Sequence, residues 1–185
     1  MKQSSTCSQG FFVVLFAFAA GSVTAKLPER LAPEKPSPEE SAVTVVDGLP
    51  AELLNGKGEK VSRGVLKGKF VGVYYSASWC PPCRTFTTKL IEFRNKHEKE
   101  FEVVLVASEA SAKAQANYMK KYEMPWLAVE NLSLSSKFLV KKHNVQFIPT
   151  LVVLSPEGNL VTTTAISDVK SLPEKALSKW KKMGR

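Results

Sequence analysis

The chain has 185 residues, of which 44% are hydrophobic and 23% charged, and its net charge is +9. This length suits one domain with a sizeable core and hardly allows two. The composition is that of a globular protein and excludes a disordered or fibrous chain. Much of the positive charge lies in the last predicted helix and in scattered lysines, which favours a solvated basic surface with attraction for acidic partners or membrane headgroups.

The start of the chain has the order of a secretory signal. Lys2 precedes an apolar run from Gly10 to Ala20, and Val23 and Ala25 occupy the small-residue positions that signal peptidase reads. We expect cleavage after Ala25. An uncleaved membrane anchor is the alternative, although the run is shorter than the roughly 20 apolar residues that a span needs. Cys7 lies before the run, so it is not the lipid-bearing cysteine of a lipoprotein.

The next segment, residues 26–41, holds four prolines and mixed charges and is typical of an extended tether. We therefore predict a signal peptide at 1–25, a proline-rich linker at 26–41 and one folded domain at 42–185. The protein would be exported, either to a periplasm or into the medium. An exported protein rarely meets nucleic acid, so we expect no nucleic-acid partner, and we expect a monomer.

The domain alternates strand and helix patterns. In chain order we predict a hairpin at 53–62, a strand at 69–77, a helix at 82–97, a strand at 101–108, helices at 111–122 and 134–144, two strands within 149–164, and a last helix. A capping box of Ser171 and Glu174 is expected to open that last helix, and Asn144 suits a left-handed cap. This order predicts an α/β fold, with a central mixed β-sheet flanked by helices on both faces.

The stretch SASWCPPCR contains two cysteines, Cys80 and Cys83, that are two residues apart. Haem attachment would need a histidine at position 84, which is Arg84. A structural zinc site needs four ligands, and His97 and His143 stand singly on separate predicted helices. We therefore expect no metal and no organic cofactor.

Two interpretations of the cysteine pair remain, a structural disulfide and a redox-active pair. Closing so short a loop constrains the unfolded chain very little, so the pair is a poor structural link. Cys80 is expected between a buried strand and a helix start, where free N–H groups favour a thiolate. Pro81 and Pro82 suit the first helical turn, and Cys83 lies near enough to resolve a mixed disulfide. The pattern favours redox chemistry.

A second candidate element is Pro149, which precedes the apolar stretch TLVVL. It is either simple punctuation at a strand edge or the second residue of a cis Ile148–Pro149 bond. A cis bond would bring the backbone of Ile148 beside the cysteines. The residues alone leave both readings open.

Taken together, Trp79-Cys80-Pro81-Pro82-Cys83 after a buried strand and Ile148-Pro149-Thr150 before a hairpin resemble the thioredoxin superfamily. The segments YYSASWCPPCRTFTTKLIEF, MPWLAV and IPTLVVLSPEGNLVTT are similar to those of tryparedoxins and nucleoredoxins. The resemblance covers about residues 42–182 and implies a thioredoxin-like fold.

This resemblance also implies residue roles. Cys80 would be the nucleophile and Cys83 the resolving thiol, the two forming a disulfide on oxidation. Trp79, Pro81, Pro82, Ile148 and a cis Pro149 would bind the substrate. The implied activity is reduction of protein disulfides through a mixed disulfide on Cys80, with a thiol electron donor that export would place in the membrane. A disulfide oxidant or isomerase, or a binding module without activity, are the alternatives.

One position, Tyr74, departs from the family pattern, and the role of another, Trp126, is not decided by it. Thioredoxins keep a buried aspartate six residues before the nucleophile, where this chain has Tyr74, so the proton route to Cys83 is not given by the resemblance. Trp126, in the stretch MPWLAV, either flanks the site or packs in the core.

Overall fold

The computed structural model describes residues 48–184. The predicted signal peptide, the linker and the first residues of the predicted domain lie outside the described residues and stay predictions. Within residues 48–184, no helix has both the length and the apolar character that a membrane crossing requires.

A seven-stranded sheet forms the centre of the fold. Its strands in chain order are β1 (Glu52–Leu54), β2 (Lys60–Ser62), β3 (Phe70–Ser76), β4 (Phe101–Ala107), β5 (Leu127–Ala128), β6 (Thr150–Leu154) and β7 (Leu160–Thr162). They lie side by side in the order β2-β1-β5-β4-β3-β6-β7. Because β3 runs parallel to β4 and antiparallel to β6, the predicted mixed sheet is confirmed.

Helices cover both faces of the sheet. They are a 3₁₀ helix at Arg63–Leu66 and the α-helices α1 (Pro81–Lys96), α2 (Ala112–Lys121), α3 (Leu134–Lys142), α4 (Ala165–Ser171) and α5 (Pro173–Met183). One buried cluster joins α1, α2, α4 and α5 to one face, and a second joins α3 and the 3₁₀ helix to the other. The prediction that helices flank both faces of the sheet is therefore confirmed.

The central strand β3 is buried along its whole length. Tyr74 faces the first cluster, whereas Val73 and Tyr75 face the second, as the two-residue period of a strand requires. A strand enclosed on both faces holds its ends rigidly, and its carboxyl end leads directly into the cysteine segment.

The last helical segment differs from the prediction. Ser171 ends α4, a helix that the sequence analysis missed, and Leu172 takes the cap position of α5 without a capping side chain. The capping box of Ser171 and Glu174 is therefore wrong. Pro173 begins α5 instead, because its fixed φ and missing N–H suit a first helical position. The expected left-handed conformation of Asn144 is confirmed, at φ 48°.

A carboxylate ties α4 to α5. Asp168 accepts hydrogen bonds from the indole N–H of Trp180 at 2.9 Å and from the Lys179 ammonium at 2.7 Å. Burial raises the pKa of Asp168, but these two donors outweigh it, so its pKa lies below the ordinary value. Trp180 in turn packs against Phe93 and Phe101, so the carboxylate fixes α5 on the core.

We predict that Asp168→Asn lowers the free energy of unfolding at pH 7 by about 1–3 kcal/mol, because hydrogen bonds to a charged group are lost. A carboxylate with a depressed native pKa stabilises the fold above its unfolded pKa of about 3.9 and loses that effect as pH falls through the native value. Urea unfolding between neutral and acidic pH should therefore be less pH-dependent in Asp168→Asn than in the wild type. Glu174→Gln, in the first turn of α5, is the control; a pH profile of Asp168→Asn identical to that of the wild type would contradict the assignment.

Candidate active site

The two cysteines lie where the buried strand meets the first long helix. Cys80 is the N-cap residue of α1, and Pro81 and Pro82 occupy the first two helical positions, both exposed. A disulfide joins Cys80 to Cys83, with their Cα atoms 5.2 Å apart. The structure thus brings together the pair that the sequence analysis singled out.

Burial distinguishes the two cysteines. Cys83 is completely buried, whereas Cys80 keeps 5% of its surface exposed. Thiol–disulfide exchange requires a sulfur that the incoming partner can reach. Cys80 is therefore the cysteine nearer the surface, which suits it to react with a second molecule, whereas Cys83 lies behind it.

The Ile148–Pro149 bond is cis, which decides between the two readings that the residues left open. The carbonyl oxygen of Ile148 lies 3.9 Å from the Cys80 Sγ, and the Ile148 side chain packs against the small buried cluster of Ala77, Cys80 and Cys83. A backbone polar group thus stands directly beside the reactive sulfur. Extended substrate segments can pair with such a group through main-chain hydrogen bonds.

Trp79 forms an open wall next to Cys80. Its side chain is 63% exposed, and its indole N–H donates to the Ser108 carbonyl at 3.0 Å. This bond holds the ring to the end of β4 while one side of it faces solvent. The predicted substrate-binding residues therefore surround Cys80: Trp79, Pro81, Pro82, Ile148 and Pro149.

A buried carboxylate that the sequence analysis missed supports this wall. Glu109 is buried and accepts hydrogen bonds from both the backbone N–H and the hydroxyl of Ser78. Its own backbone carbonyl receives the Asn131 amide at 3.0 Å. Glu109 follows the carboxyl end of β4, an edge where parallel strands place functional groups, and that position was the available signal. It fixes the segment that carries Trp79 and Cys80.

Four buried hydroxyl groups lie under the first turn of α1. The Tyr74 hydroxyl donates to the Cys83 carbonyl at 3.0 Å and lies 3.0 Å from the Thr87 hydroxyl. Thr87 also donates to the Cys83 carbonyl and contacts the Tyr118 hydroxyl, both at 3.0 Å. The Ser76 hydroxyl completes the row, 2.9 Å from that of Tyr118. We call these four residues the hydroxyl cluster.

The hydroxyl cluster shows what Tyr74 does at the position where thioredoxins have an aspartate. Burial raises the pKa of Tyr74 well above its ordinary value, so the hydroxyl stays protonated and available as a donor. It contacts the backbone of Cys83 and positions the turn that carries the thiol. Trp126 packs edge-on against Tyr74 at 6.4 Å and is buried in the core, so packing, not flanking the site, is its role in the structure.

We predict that Tyr74→Phe lowers the free energy of unfolding by about 1–2 kcal/mol, because a donor to the Cys83 carbonyl and a partner of Thr87 are lost from a buried site. The matched control is Tyr122→Phe, since Tyr122 is only partly buried and its hydroxyl is not part of the cluster. Chemical denaturation of both variants measures the difference. Equal losses in the two variants would show that the cluster contributes nothing specific.

The described histidines stand apart from the cysteines. His97 caps the end of α1 and packs against Phe93, and His143 contacts the Tyr75 hydroxyl through Nδ1 at 2.6 Å. Among residues 48–184, no group of three or more His, Cys, Asp or Glu side chains is arranged to hold a metal ion.

Comparison with known proteins adds to this geometry. Residues 68–160 match the family model described as thioredoxin-like. The chain is 43% identical over 133 residues to tryparedoxin of Trypanosoma brucei brucei, covering 69% of this chain and 90% of that protein. It is also 39% identical to mouse nucleoredoxin over 114 residues. This match covers 60% of the present chain but only 26% of the nucleoredoxin. The chain therefore spans about a quarter of the length of that relative.

Solved structures support the same family assignment. Tryparedoxin II complexed with glutathionylspermidine superposes with a TM-score of 0.62 at 37% identity, covering 69% of this chain and 90% of that one. The residues matched by the family model and by tryparedoxin both include the Cys80–Cys83 segment. The chain belongs to the thioredoxin superfamily, within its group of tryparedoxin- and nucleoredoxin-like proteins.

Proposed function

We infer that this protein is an exported thiol-disulfide oxidoreductase that reduces protein disulfides. The observation that carries the exchange chemistry in this proposal is the unequal burial of the cysteine pair. Cys80 reaches the surface beside Trp79 and the Ile148 carbonyl, and Cys83 lies wholly behind it. An attacking sulfur in front and a resolving sulfur behind is the arrangement that a two-step exchange requires.

The reaction starts from the dithiol. The Cys80 thiolate attacks one sulfur of a substrate disulfide, so that the substrate S–S bond breaks and its other sulfur leaves as a thiolate that takes up a proton. The Cys83 thiol then gives up its proton and attacks the Cys80 Sγ. The Cys80–Cys83 bond forms, the second substrate thiol is released, and two electrons have passed to the substrate.

The first turn of α1 favours the attacking thiolate. Cys80 caps a helix of 16 residues, and unpaired N–H groups at a helix start stabilise a negative charge and lower a thiol pKa. Pro81 and Pro82 carry no N–H and the Arg84 N–H donates to the Cys80 carbonyl at 3.2 Å, so the N–H of Cys83 is the donor that this turn leaves for a negative charge. Cys83 sits in that same turn, held by the hydroxyl cluster.

The oxidised protein must be reduced again by a thiol donor. One tryparedoxin neighbour was solved with glutathionylspermidine, which supports a thiol-bearing donor as the source of electrons here. If the protein acts outside the cytosol, the donor is a membrane-embedded thiol protein that passes electrons across the membrane. We propose that the protein works as a monomer.

We predict that Cys80→Ser abolishes insulin reduction, because the reachable nucleophile is lost. Cys83→Ser should instead accumulate a mixed disulfide between Cys80 and the substrate, visible by mass spectrometry without reductant, because the resolving thiol is gone. The two variants are matched controls for each other. If the wild type turns over insulin no faster than Cys80→Ser, the protein is a binding module and not a reductase.

The export proposal rests on the order of Lys2, the apolar run and Ala25. N-terminal sequencing of the protein recovered from its native host is expected to start at Lys26. Recovery of the intact chain from the cytosolic fraction would refute export, and recovery of the intact chain from the membrane fraction would replace cleavage by anchoring.

A further inference from the structure

We propose that the buried carboxylate of Glu109 keeps the Cys80–Cys83 pair reducing, because its negative charge disfavours the Cys80 thiolate. The carboxylate bonds to Ser78 and to neither sulfur, so Glu109 is a positioning residue that acts on Cys80 from a distance. This inference rests on the proposed function and concerns the direction of its electron transfer. A pair whose thiolate is disfavoured has a less stable dithiol, and it therefore passes electrons to substrate disulfides more readily.

Glu109 lies close to Cys80 because of the segment that it holds. Its carboxylate accepts the backbone N–H and the hydroxyl of Ser78, two residues before Cys80. Residues 77–80 form a turn, in which the Cys80 N–H donates to the Ala77 carbonyl at 3.3 Å. Two residues span at most about 7 Å even when extended, so the carboxylate lies within roughly 10 Å of the Cys80 backbone.

Burial strengthens the interaction between the two groups. Glu109 keeps 6% of its surface exposed and Cys80 keeps 5%, so solvent screens the carboxylate and the sulfur weakly from each other. The Asn131 amide donates to the Glu109 backbone carbonyl at 3.0 Å, which fixes the residue that carries the charge. A fixed negative charge nearby disfavours a second one and raises the pKa of a thiol.

Glu109 is the nearest source of negative charge in the local sequence. Three segments adjoin Cys80, at residues 76–79, 108–111 and 145–149, and among them Glu109 is the only charged residue. In the described part of the chain, no Lys, Arg or His side chain lies within ion-pair distance of its carboxylate. Its hydrogen-bond donors are neutral, so the charge is not cancelled by a partner.

Two cations act in the opposite sense. Lys137 of α3 lines the same surface pocket as Glu109, and Arg84 lies in the first turn of α1. Lys137 is exposed and Arg84 partly exposed, so solvent screens them more than it screens the buried carboxylate. The start of α1 offsets the carboxylate only in part, because the Cys83 N–H is the donor that its first turn leaves for a thiolate.

The geometry at position 109 does not itself need a charge. A glutamine there would have a carbonyl oxygen that can accept the Ser78 N–H and an amide group that can donate to the Ser78 hydroxyl. A buried carboxylate without a cation beside it costs free energy that a neutral side chain would not. The charge of Glu109, and not its hydrogen bonding alone, is therefore the feature that a function must explain.

The charge enters the redox equilibrium through one step. Dithiothreitol gives two electrons and two protons to the disulfide, the Cys80–Cys83 bond breaks, and oxidised dithiothreitol forms. Ionisation of the Cys80 thiol then releases a proton to solvent and draws the equilibrium towards the dithiol, which makes the pair more oxidising. A raised pKa of Cys80 weakens this step, so the pair stays reducing.

The test is Glu109→Gln, with two readouts on the reduced and oxidised protein. Alkylation of Cys80 by iodoacetamide against pH gives its pKa, which we expect to fall by about one unit. Equilibration with dithiothreitol and thiol trapping gives the redox constant. We expect that constant to shift about three- to tenfold towards the dithiol, which corresponds to about 15–30 mV towards the oxidising end.

Two controls separate charge from structure. Ser78→Ala keeps the carboxylate and removes one of its hydrogen bonds, so the pKa of Cys80 should stay near the wild-type value even if the protein is less stable. Glu92→Gln removes an exposed carboxylate further along α1 and should leave both readouts unchanged. A wild-type potential in Glu109→Gln, or an equal shift in Ser78→Ala, would overturn the proposal.

A surface variant tests the same field without altering the buried site. Lys137→Glu replaces an exposed cation in the pocket of Glu109 by an anion, so it should raise the pKa of Cys80 and make the pair more reducing. A pKa and potential equal to those of the wild type would show that charge in this pocket does not reach Cys80. That result would overturn the proposal even if Glu109→Gln did not fold.

Reduction of a small disulfide, dithiobis-nitrobenzoate, separates this inference from the proposed function. A wild type that reduces it while Glu109→Gln keeps the wild-type potential would overturn the role of Glu109 alone. A wild type that reacts with it no faster than Cys80→Ser would overturn the proposed function, and with it the basis for this inference.

Discussion

The Cys83 carbonyl accepts hydrogen bonds from the Tyr74 and Thr87 hydroxyls, and this buried contact joins the first turn of α1 to the central strand β3. Tyr74 belongs to a strand that is enclosed on both faces, so the turn is held against the most rigid part of the fold. A loosened turn would let the two sulfurs separate or change their exposure. The reactivity of the site therefore depends on a contact that involves neither sulfur atom.

The remaining parts of the site are held from separate directions. Glu109, at the end of β4, fixes Ser78 and with it the segment that carries Trp79 and Cys80. The cis Ile148–Pro149 bond, just before β6, presents its carbonyl to Cys80. Since β4 and β6 both flank β3, the site is assembled at one edge of the sheet from three adjacent strand ends. Substrate binding on this edge does not require the sheet to move.

The sequence predicted well those parts of the fold whose signals are local. The strand pattern at 69–77 and the helix pattern at 82–97 were sufficient to place Cys80 between a strand and a helix. The strand β5 was missed because two residues carry no periodic pattern. Helix α4 was missed because it is short and largely polar, and its end at Ser171 turned an apparent cap residue into a last helical one.

The candidate site likewise has features that local sequence signals predicted and features that they did not. The redox pair was visible because its residues are adjacent in sequence. The role of Glu109 was not, because its partner Ser78 lies 31 residues earlier and nothing in the local sequence joins them. The row from Tyr74 through Thr87 and Tyr118 to Ser76 likewise crosses three elements, and only folding brings the four hydroxyls together. The cis bond needed a resemblance, because a proline before a strand has an equally ordinary reading.

The most direct test of this account is the equilibrium redox potential of the Cys80–Cys83 pair, titrated against dithiothreitol or glutathione and followed by thiol alkylation. The account predicts a value near that of thioredoxin, about −270 mV, at which the dithiol drives reduction of protein disulfides. A value near the oxidising end, about −120 mV, would contradict it, because such a pair would donate its disulfide and the protein would be an oxidant.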